Sequence, residues 1–328
     1  MLTWALEERV LPLNFTWKIS RNSSDEKKNF FVRVADKNIF ALGEIAPNVR
    51  YGESEELIKE QFNKFVSSYT PEKSTTLDKL EKYLDSLDLA HSLRFGIESA
   101  FVHLECETRG IHPAEYFKLK MPEYVATSFS VPIIPVEEIK DFIDPLKRFE
   151  SLKIKVNKET ALDMVMEVSK NTNQKLRIDG NEAWTDVNEL LKFIEKIKHL
   201  PVEFLEQPMS ANLVDEYKFL KKNSPFDLIA DESIEDKADF NLIAEQFHGV
   251  NMKLMKAGGY KNGLTILKEA RKHKLKTMIG CMVETSLGIY SAFNLANKVD
   301  YLDLDGFMII KSDPYRLIIE ENGCLYLS

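Results

Sequence analysis

Five charged side chains recur at an even spacing in the second half of the chain: Lys155, Asp179, Glu206, Asp231 and Lys253. Each ends or follows a short apolar run, and neighbours in this series lie 22 to 27 residues apart. Three carboxylates that converge repel one another unless a cation neutralises them. Oxygen ligands of this kind are typical of Mg²⁺. The pattern therefore predicts a Mg²⁺ site formed by Asp179, Glu206 and Asp231, with a lysine on either side.

A further lysine, Lys153, lies two residues before Lys155 in the segment SLKIKVNK. Side chains two apart in a strand point to the same face. A nearby cation lowers the pKa of a lysine, and a neutral lysine can act as a general base. We therefore expect Lys155 and Lys253 to act as bases on opposite faces of a substrate, with Lys153 lowering the pKa of Lys155. Removing a proton on one face and returning it on the other inverts a stereocentre.

The elements that would position these residues begin near Val125. Strand-like runs (TSFSVPI, LKIKV, KLRIDGN, VEFLEQP, DLIADES, GVNMKLM, KTMIGCM and YLDLDGF) alternate there with helical patterns. This alternation is typical of parallel βαβ units, and eight strand candidates favour a closed (β/α) barrel. The carboxyl ends of barrel strands converge at one mouth, where catalytic groups lie. About 185 residues is short for such a barrel, since about 250 is typical.

The residues before the barrel follow a different pattern. Strands are predicted at Phe30–Val34 and Ala41–Ala46, and helices at Glu55–Ser68, Leu77–Leu87 and Leu93–Glu105. Strands followed by helices indicate a separate α+β unit.

Composition excludes several classes of protein. A formal net charge of −8 disfavours a nucleic-acid surface. No apolar run reaches the length of a membrane span, and the first residues predict no signal peptide. Three cysteines without paired spacing, Cys106, Cys281 and Cys324, suggest free thiols. We therefore expect a cytoplasmic protein that binds neither membrane nor nucleic acid.

Several of these stretches resemble the enolase superfamily. GEIAPNVRYGES resembles its mobile capping loop, LKIKV its KxK strand, and RIDGNEAW, EFLEQP and IADES its three metal-binding strands. The lysine of NMKLMKAGG resembles the second base of the muconate-lactonizing subgroup. The resemblance implies an α/β fold in which an N-terminal α+β capping domain covers a modified (β/α)₇β TIM-type barrel. It also implies Mg²⁺ and a lysine base.

That fold predicts a division of the chain into three segments. They are a capping domain at residues 1–122, a barrel at residues 123–312, and a C-terminal segment at about residues 313–328 that packs back toward the cap.

The eighth strand narrows the resemblance to dipeptide epimerases. LDLDG resembles their DxD motif, in which Asp303 and Asp305 would share one strand face and hold the substrate ammonium by charge-assisted hydrogen bonds. Ser128 and Met282 resemble positions that contact substrate. Arg21, in WKISRNSSD, lies near the place of an arginine that pairs with the substrate glutamate in Ala-Glu epimerases.

The resemblance implies reversible epimerisation at the α-carbon of a dipeptide's C-terminal residue, through an enediolate. It also implies a symmetric homo-oligomer. Two alternatives stay open: an o-succinylbenzoate synthase-type dehydratase, whose substrate has no ammonium for Asp303 and Asp305, and a catalytically idle barrel kept for binding.

Overall fold

The N-terminal part of the chain is a three-stranded antiparallel sheet packed against helices, in a computed structural model that describes residues 2–70 and 75–328. The strands are β1 (Thr3–Lys18), β2 (Ser23–Asp36) and β3 (Ile39–Ile45). The helices are α1 (Glu55–Ser68), α2 (Leu77–Leu84), α3 (His91–Arg109) and α4 (Pro113–Tyr116). Met1 and residues 71–74 of the predicted cap lie outside the described residues.

Eight parallel strands follow and pair in sequence order. After a short strand β4 (Val125–Ala126), they are β5 (Phe129–Val131), β6 (Ser151–Lys155), β7 (Lys175–Asp179), β8 (Val202–Glu206), β9 (Asp227–Ala230), β10 (Gly249–Met252), β11 (Lys276–Gly280) and β12 (Tyr301–Asp303). The Ser128 amide donates to the Leu302 carbonyl (3.3 Å) and draws the first and last strands together. The predicted barrel with its N-terminal α+β cap is confirmed.

Helices connect the strands on the outside of the barrel. They are α5 (Ile139–Ile143), α6 (Ala161–Asn171), α7 (Val187–Ile197), α8 (Val214–Asn223), α9 (Phe240–Gln246), α10 (Leu254–Ala257), α11 (Tyr260–Lys272) and α12 (Ser286–Phe293). A short helix α13 (Gly306–Ile309) follows β12, and single 3₁₀ turns lie at Val49–Tyr51, Val136–Glu138 and Asp144–Leu146. Several connections are short, which accounts for the small size of the barrel.

The strand β6 illustrates why these residues form a barrel interior. All five of its residues are buried, including both lysines. Leu152 and Ile154 point into the hydrophobic core, so the alternating Lys153 and Lys155 point the other way, into the barrel. A buried strand with two lysines needs anionic partners for them, and the neighbouring strands supply these.

Local boundaries differ from the predictions in several places. The sixteen-residue strand β1 was not predicted, because Pro12 and a register shift between Pro12 and Trp17 break its alternation. Helix α1 has the predicted bounds, whereas α2 ends early at Leu84.

The C-terminal residues form a hairpin of β13 (Ile318–Glu321) and β14 (Cys324–Leu327). Strand β14 pairs with β4, just before the first strand of the barrel, so the hairpin adjoins the barrel. Tyr315, just before it, does contact the cap, with its ring centroid 5.3 Å from that of Phe31. We propose the division into a cap and a barrel on this basis.

None of the helices in the described ranges is long and apolar enough to cross a bilayer. The three cysteines are all unpaired, as predicted.

Candidate active site

A cavity of about 550 Å³ lies between the cap and the mouth of the barrel. Its floor includes Lys153, Lys155, Asp231 and Lys253, and its roof includes residues of the β1–β2 turn and the β3–α1 loop. The five evenly spaced residues are therefore gathered in or directly below one cavity.

Three carboxylates from adjacent strands form the base of this cavity. Asp179 ends β7, Glu206 ends β8 directly opposite it, and Asp231 follows β9. All three side chains are buried, at 0 to 2 % exposure. This agrees with the position that the sequence spacing predicts for them.

The ammonium of Lys153 lies among these carboxylates. Its Nζ is 2.8 Å from Glu206 Oε2, 2.8 Å from Asp303 Oδ2 and 3.1 Å from Asp179 Oδ2. Lys155 Nζ donates to Asp179 Oδ2 at 2.5 Å. The two lysines that share one face of β6 therefore share a carboxylate partner.

Lys253 approaches the site from the other side of the barrel. It lies just after β10 rather than within it, and its Nζ donates to Asp231 Oδ2 at 2.8 Å. Strands β6 and β10 are four positions apart in an eight-stranded barrel, so Lys155 and Lys253 face the cavity from opposite sides.

Burial and charge act against each other on these carboxylates. Burial opposes ionisation of Asp179, but the ammonium groups of Lys155 and Lys153 outweigh it and lower the pKa of Asp179 to about 2. Burial, together with the charge of Asp179, raises the pKa of Glu206 to about 7. The lysines therefore compensate some, but not all, of the crowded negative charge.

The ammonium groups of Lys253 and Lys153 are buried beside carboxylates, and this determines their pKa values. Burial lowers the pKa of Lys253, but the adjacent Asp231 carboxylate outweighs burial, and the net pKa of Lys253 is raised. The pKa of Lys153 is likewise raised, because Asp303, Glu206 and Asp179 outweigh its burial.

The donor set of this site fits a hard divalent cation. Buried oxygens without a hydrogen-bond partner are clustered here: Glu206 Oε2, Asn181 Oδ1, Glu232 Oε2 and Asn251 Oδ1. Glu206 Oε2 lies close to Lys153 Nζ but outside hydrogen-bond geometry. Within residues 2–70 and 75–328, no three acidic, His or Cys side chains are preassembled as a metal cage. Lysine ammonium groups lie between the carboxylates instead.

The sequence predicted that Asp303 and Asp305 would both lie in the eighth strand. This is wrong for Asp305, because β12 ends at Asp303 and Asp305 directly precedes α13. Both still line the cavity. Asp303 accepts hydrogen bonds from Lys153 and, at 2.7 Å, from the Ser128 hydroxyl. Asp305 Oδ2 accepts one from the Ser130 amide at 2.6 Å. Ser128 therefore supports Asp303 from behind, and Ser130 takes its place in the cavity lining.

The sequence itself matches a known family over this region. Residues 136–307, more than half of the chain, match the family described as enolase C-terminal domain-like. The chain belongs to the enolase superfamily. The match covers all of the catalytic candidates from Lys153 to Asp305.

Relatives of this superfamily member carry epimerase names. It is 30% identical over 327 residues to an L-Ala-D/L-amino acid epimerase of Flavobacterium johnsoniae, covering 98% of this chain and 96% of that protein. It is 33% identical over 327 residues to an L-Ala-D/L-amino acid epimerase of Pedosphaera parvula, covering 96% and 93%.

Solved structures of the superfamily share the fold over nearly the whole chain. An L-Ala-D/L-Glu epimerase has a TM-score of 0.86 at 26% identity, covering 100% of this chain and 99% of that one. A dipeptide epimerase from Methylococcus capsulatus, complexed with Mg and the dipeptide L-Arg-D-Lys, has a TM-score of 0.88 at 24% identity, covering 99% and 96%.

Met282 and Arg21 both reach the cavity of this enolase-superfamily chain. Met282 lies in its wall, beside Asn48. The guanidinium of Arg21, however, is already paired, at 2.7 Å from Glu232 Oε1 and 2.7 Å from Glu182 Oε2.

The sequence reasoning missed some residues that support the carboxylates. Lys256 Nζ donates to Asp231 Oδ1 at 2.6 Å from a fully buried position, and Asn251 Nδ2 donates to Glu206 Oε1 at 2.8 Å. The signal was available in NMKLMKAGG: Asn251 shares the strand face of Lys253, and a lysine in an otherwise apolar turn needs a buried partner.

Proposed function

We propose that this chain is an isomerase that epimerises dipeptides at the α-carbon of the C-terminal residue, with Mg²⁺ as its cofactor. The observation that carries the proposal is that Lys155 and Lys253 enter one cavity from opposite sides of the barrel, beside three buried carboxylates. The epimerase names of full-length relatives, and of structures with bound dipeptides, support it.

In this mechanism Lys155 and Lys253 act as alternating base and acid on the two faces of the α-carbon. One lysine removes the proton, an enediolate forms, and the other lysine returns a proton on the opposite face. Asp179, Glu206 and Asp231 would hold Mg²⁺, which supplies positive charge next to the substrate carboxylate as it becomes an enediolate. Lys153 adds a fixed positive charge to the same region. Asp303 and Asp305 receive the substrate ammonium.

The alternatives are less well supported. A dehydratase would leave the acidic groups Asp303 and Asp305 without a cationic substrate partner, and the relatives named above are epimerases. An idle barrel has no reason to keep two lysines and three carboxylates buried together at the cost of desolvation. A homo-oligomeric state and a reducing cellular compartment stay predictions.

The test is to incubate the protein with Mg²⁺ and a dipeptide library in D₂O and follow mass by mass spectrometry. We expect one deuteron to enter the C-terminal α-carbon of the accepted dipeptides, together with the appearance of the other epimer. A protein that binds Mg²⁺ yet exchanges no dipeptide would contradict the proposal and favour the dehydratase.

A further inference from the structure

Two segments of the cap form the roof of the cavity. They are the β1–β2 turn (residues 19–22) and the β3–α1 loop (residues 46–54), called here the first and second lid loops. Ile19 and Arg21 of the first, and Val49 and Tyr51 of the second, line the cavity. Val49 is 80% exposed, so its contacts do not hold the second loop in place.

One barrel carboxylate joins the two lid loops. Glu182 accepts two hydrogen bonds from Arg50 of the second loop, at 2.9 Å from Nε and 3.0 Å from Nη2. It also accepts one from Arg21 of the first loop, at 2.7 Å. Bidentate guanidinium–carboxylate pairs are stronger and more directional than single contacts, and here two arginines from separate loops share one acceptor.

Glu182 is held firmly by the barrel itself. Its amide donates to the Gln207 carbonyl at 2.8 Å, and its Oε1 accepts from the Ala211 amide at 3.0 Å. Its φ of 65° places it in the left-handed region, which non-glycine residues occupy only where the surroundings enforce it. Glu182 lies three residues after Asp179, in the loop that follows β7. Its position is therefore tied to the strand that carries one of the proposed metal ligands.

Both terminal nitrogens of the Arg21 guanidinium are engaged by protein acceptors. Beyond Glu182 and Glu232, its Nη1 donates to the Asn181 carbonyl at 3.0 Å, and the neighbouring Ser20 hydroxyl donates to that same carbonyl at 2.8 Å. An acidic substrate side chain that approached these two nitrogens would have to displace Glu182 or Glu232.

We propose that Glu182 is a positioning residue that latches both lid loops over the cavity, and that Arg21 belongs to this latch rather than receiving an acidic substrate side chain. The proposal rests on the proposed function for its substrate argument. The first half stands on geometry alone, and it can be tested without turnover.

The structural test is hydrogen–deuterium exchange of backbone amides in four variants. Glu182→Gln should speed exchange about tenfold or more in both lid loops, since local opening then needs to break fewer contacts. Arg21→Gln should do so in the first loop only, and Arg50→Gln in the second only. The control, Glu203→Gln, breaks a comparable Arg–Glu pair (Arg177 Nε, 2.8 Å) at the base of the barrel and should leave both loops unchanged. Unchanged lid exchange in Glu182→Gln would overturn the latch.

The functional test compares L-Ala-L-Glu with L-Ala-L-Leu in the same variants. A latch predicts that Arg21→Gln raises KM for both dipeptides by a similar factor, with kcat changed less, because loop closure serves any substrate. A loss at least tenfold greater for L-Ala-L-Glu would show that Arg21 is a carboxylate receptor and would overturn the second half. If the wild-type protein turns over neither dipeptide nor any other, the proposed function fails, and the exchange pattern still decides the latch.

Discussion

The two lysines that face each other across the cavity make separable predictions. We expect Lys155→Gln and Lys253→Gln each to slow epimerisation by roughly 10²–10⁴-fold, the usual contribution of a positioned acid or base. Each variant should still exchange the α-proton of one epimer with solvent, because the remaining lysine serves one face. The two variants should select opposite epimers, which is measured by following deuterium uptake from the L,L and L,D dipeptides separately. Uptake from the same epimer in both variants would contradict the two-base arrangement.

The acidic residues Asp303 and Asp305 lead to a prediction of how the substrate ammonium is bound. Asp303 is occupied by Lys153 and Ser128, whereas Asp305 accepts one hydrogen bond on Oδ2. We therefore expect Asp305 to bind the substrate ammonium more strongly than Asp303 does. A hydrogen bond to a charged group contributes about 1.5–3 kcal/mol, so Asp305→Asn should lower kcat/KM for free dipeptides by roughly tenfold to a hundredfold.

N-acetylated dipeptides provide the control for that prediction. They carry no ammonium, so Asp305→Asn should leave their slow turnover almost unchanged. Equal losses for free and acetylated dipeptides would mean that Asp305 shapes the cavity without binding the ammonium.

At the scale of elements, the sequence predicted features that follow from the local repeat of strand and helix. It missed contacts between residues that are far apart in the chain. The even spacing from Lys155 to Lys253 follows from the repeat of strand and helix, so a local pattern was enough to predict that these side chains converge, as they do. The contacts of Arg21 with Glu182 and Glu232 join residues at least 161 positions apart. The residues next to Arg21 in the sequence do not indicate which distant carboxylates will bind its guanidinium. Strand β1 was missed for a different, local reason, because Pro12 and the register shift between Pro12 and Trp17 interrupt its alternation.

One interface between elements predicts a pH dependence of stability. Glu98 on α3 is fully buried, and its carboxylate accepts from the Tyr260 amide at 2.7 Å, at the start of α11. Burial, with the charge of Glu81, raises the pKa of Glu98 from 4.5 to about 7. The folded protein therefore favours the protonated form, so this stabilisation is complete below about pH 4.5 and is lost as pH rises through about 7.

Glu98→Gln should remove that dependence, since an amide cannot ionise but can still accept from Tyr260. Between about pH 5 and pH 8, the free energy of unfolding of the wild type should fall by on the order of 1–3 kcal/mol relative to the variant. Urea unfolding at several pH values measures this. Glu105→Gln, on the partly exposed face of the same helix, should keep the wild-type slope. Parallel slopes in wild type and Glu98→Gln would show that Glu98 is not the titrating group.

At the scale of the whole molecule, the site exists only where cap and barrel meet. One hydrophobic core runs through both parts, from Phe30 in β2 to Leu302 in β12. Glu44 of β3 also reaches into the barrel, where it accepts from the Thr285 hydroxyl at 2.6 Å and the Gly288 amide at 2.9 Å. The body of the cap and the barrel are therefore fixed relative to each other by packing, and only the lid loops remain to be positioned over the cavity.

This unity links metal binding to the stability of the whole fold. The unfolded chain does not bring Asp179, Glu206 and Asp231 together, so Mg²⁺ binds only the folded state. At a hundredfold excess over Kd, this binding adds about 2.7 kcal/mol to the free energy of unfolding and therefore raises Tm. Glu206→Gln should abolish most of that rise. It should cost little without metal, because removing one of three mutually repelling carboxylates offsets the lost contact with Lys153. Glu203→Gln, the same change three residues earlier on β8, should keep the full rise. An equal rise in both variants, measured by thermal unfolding with Mg²⁺ or with a chelator, would mean that the cation is held elsewhere in the protein.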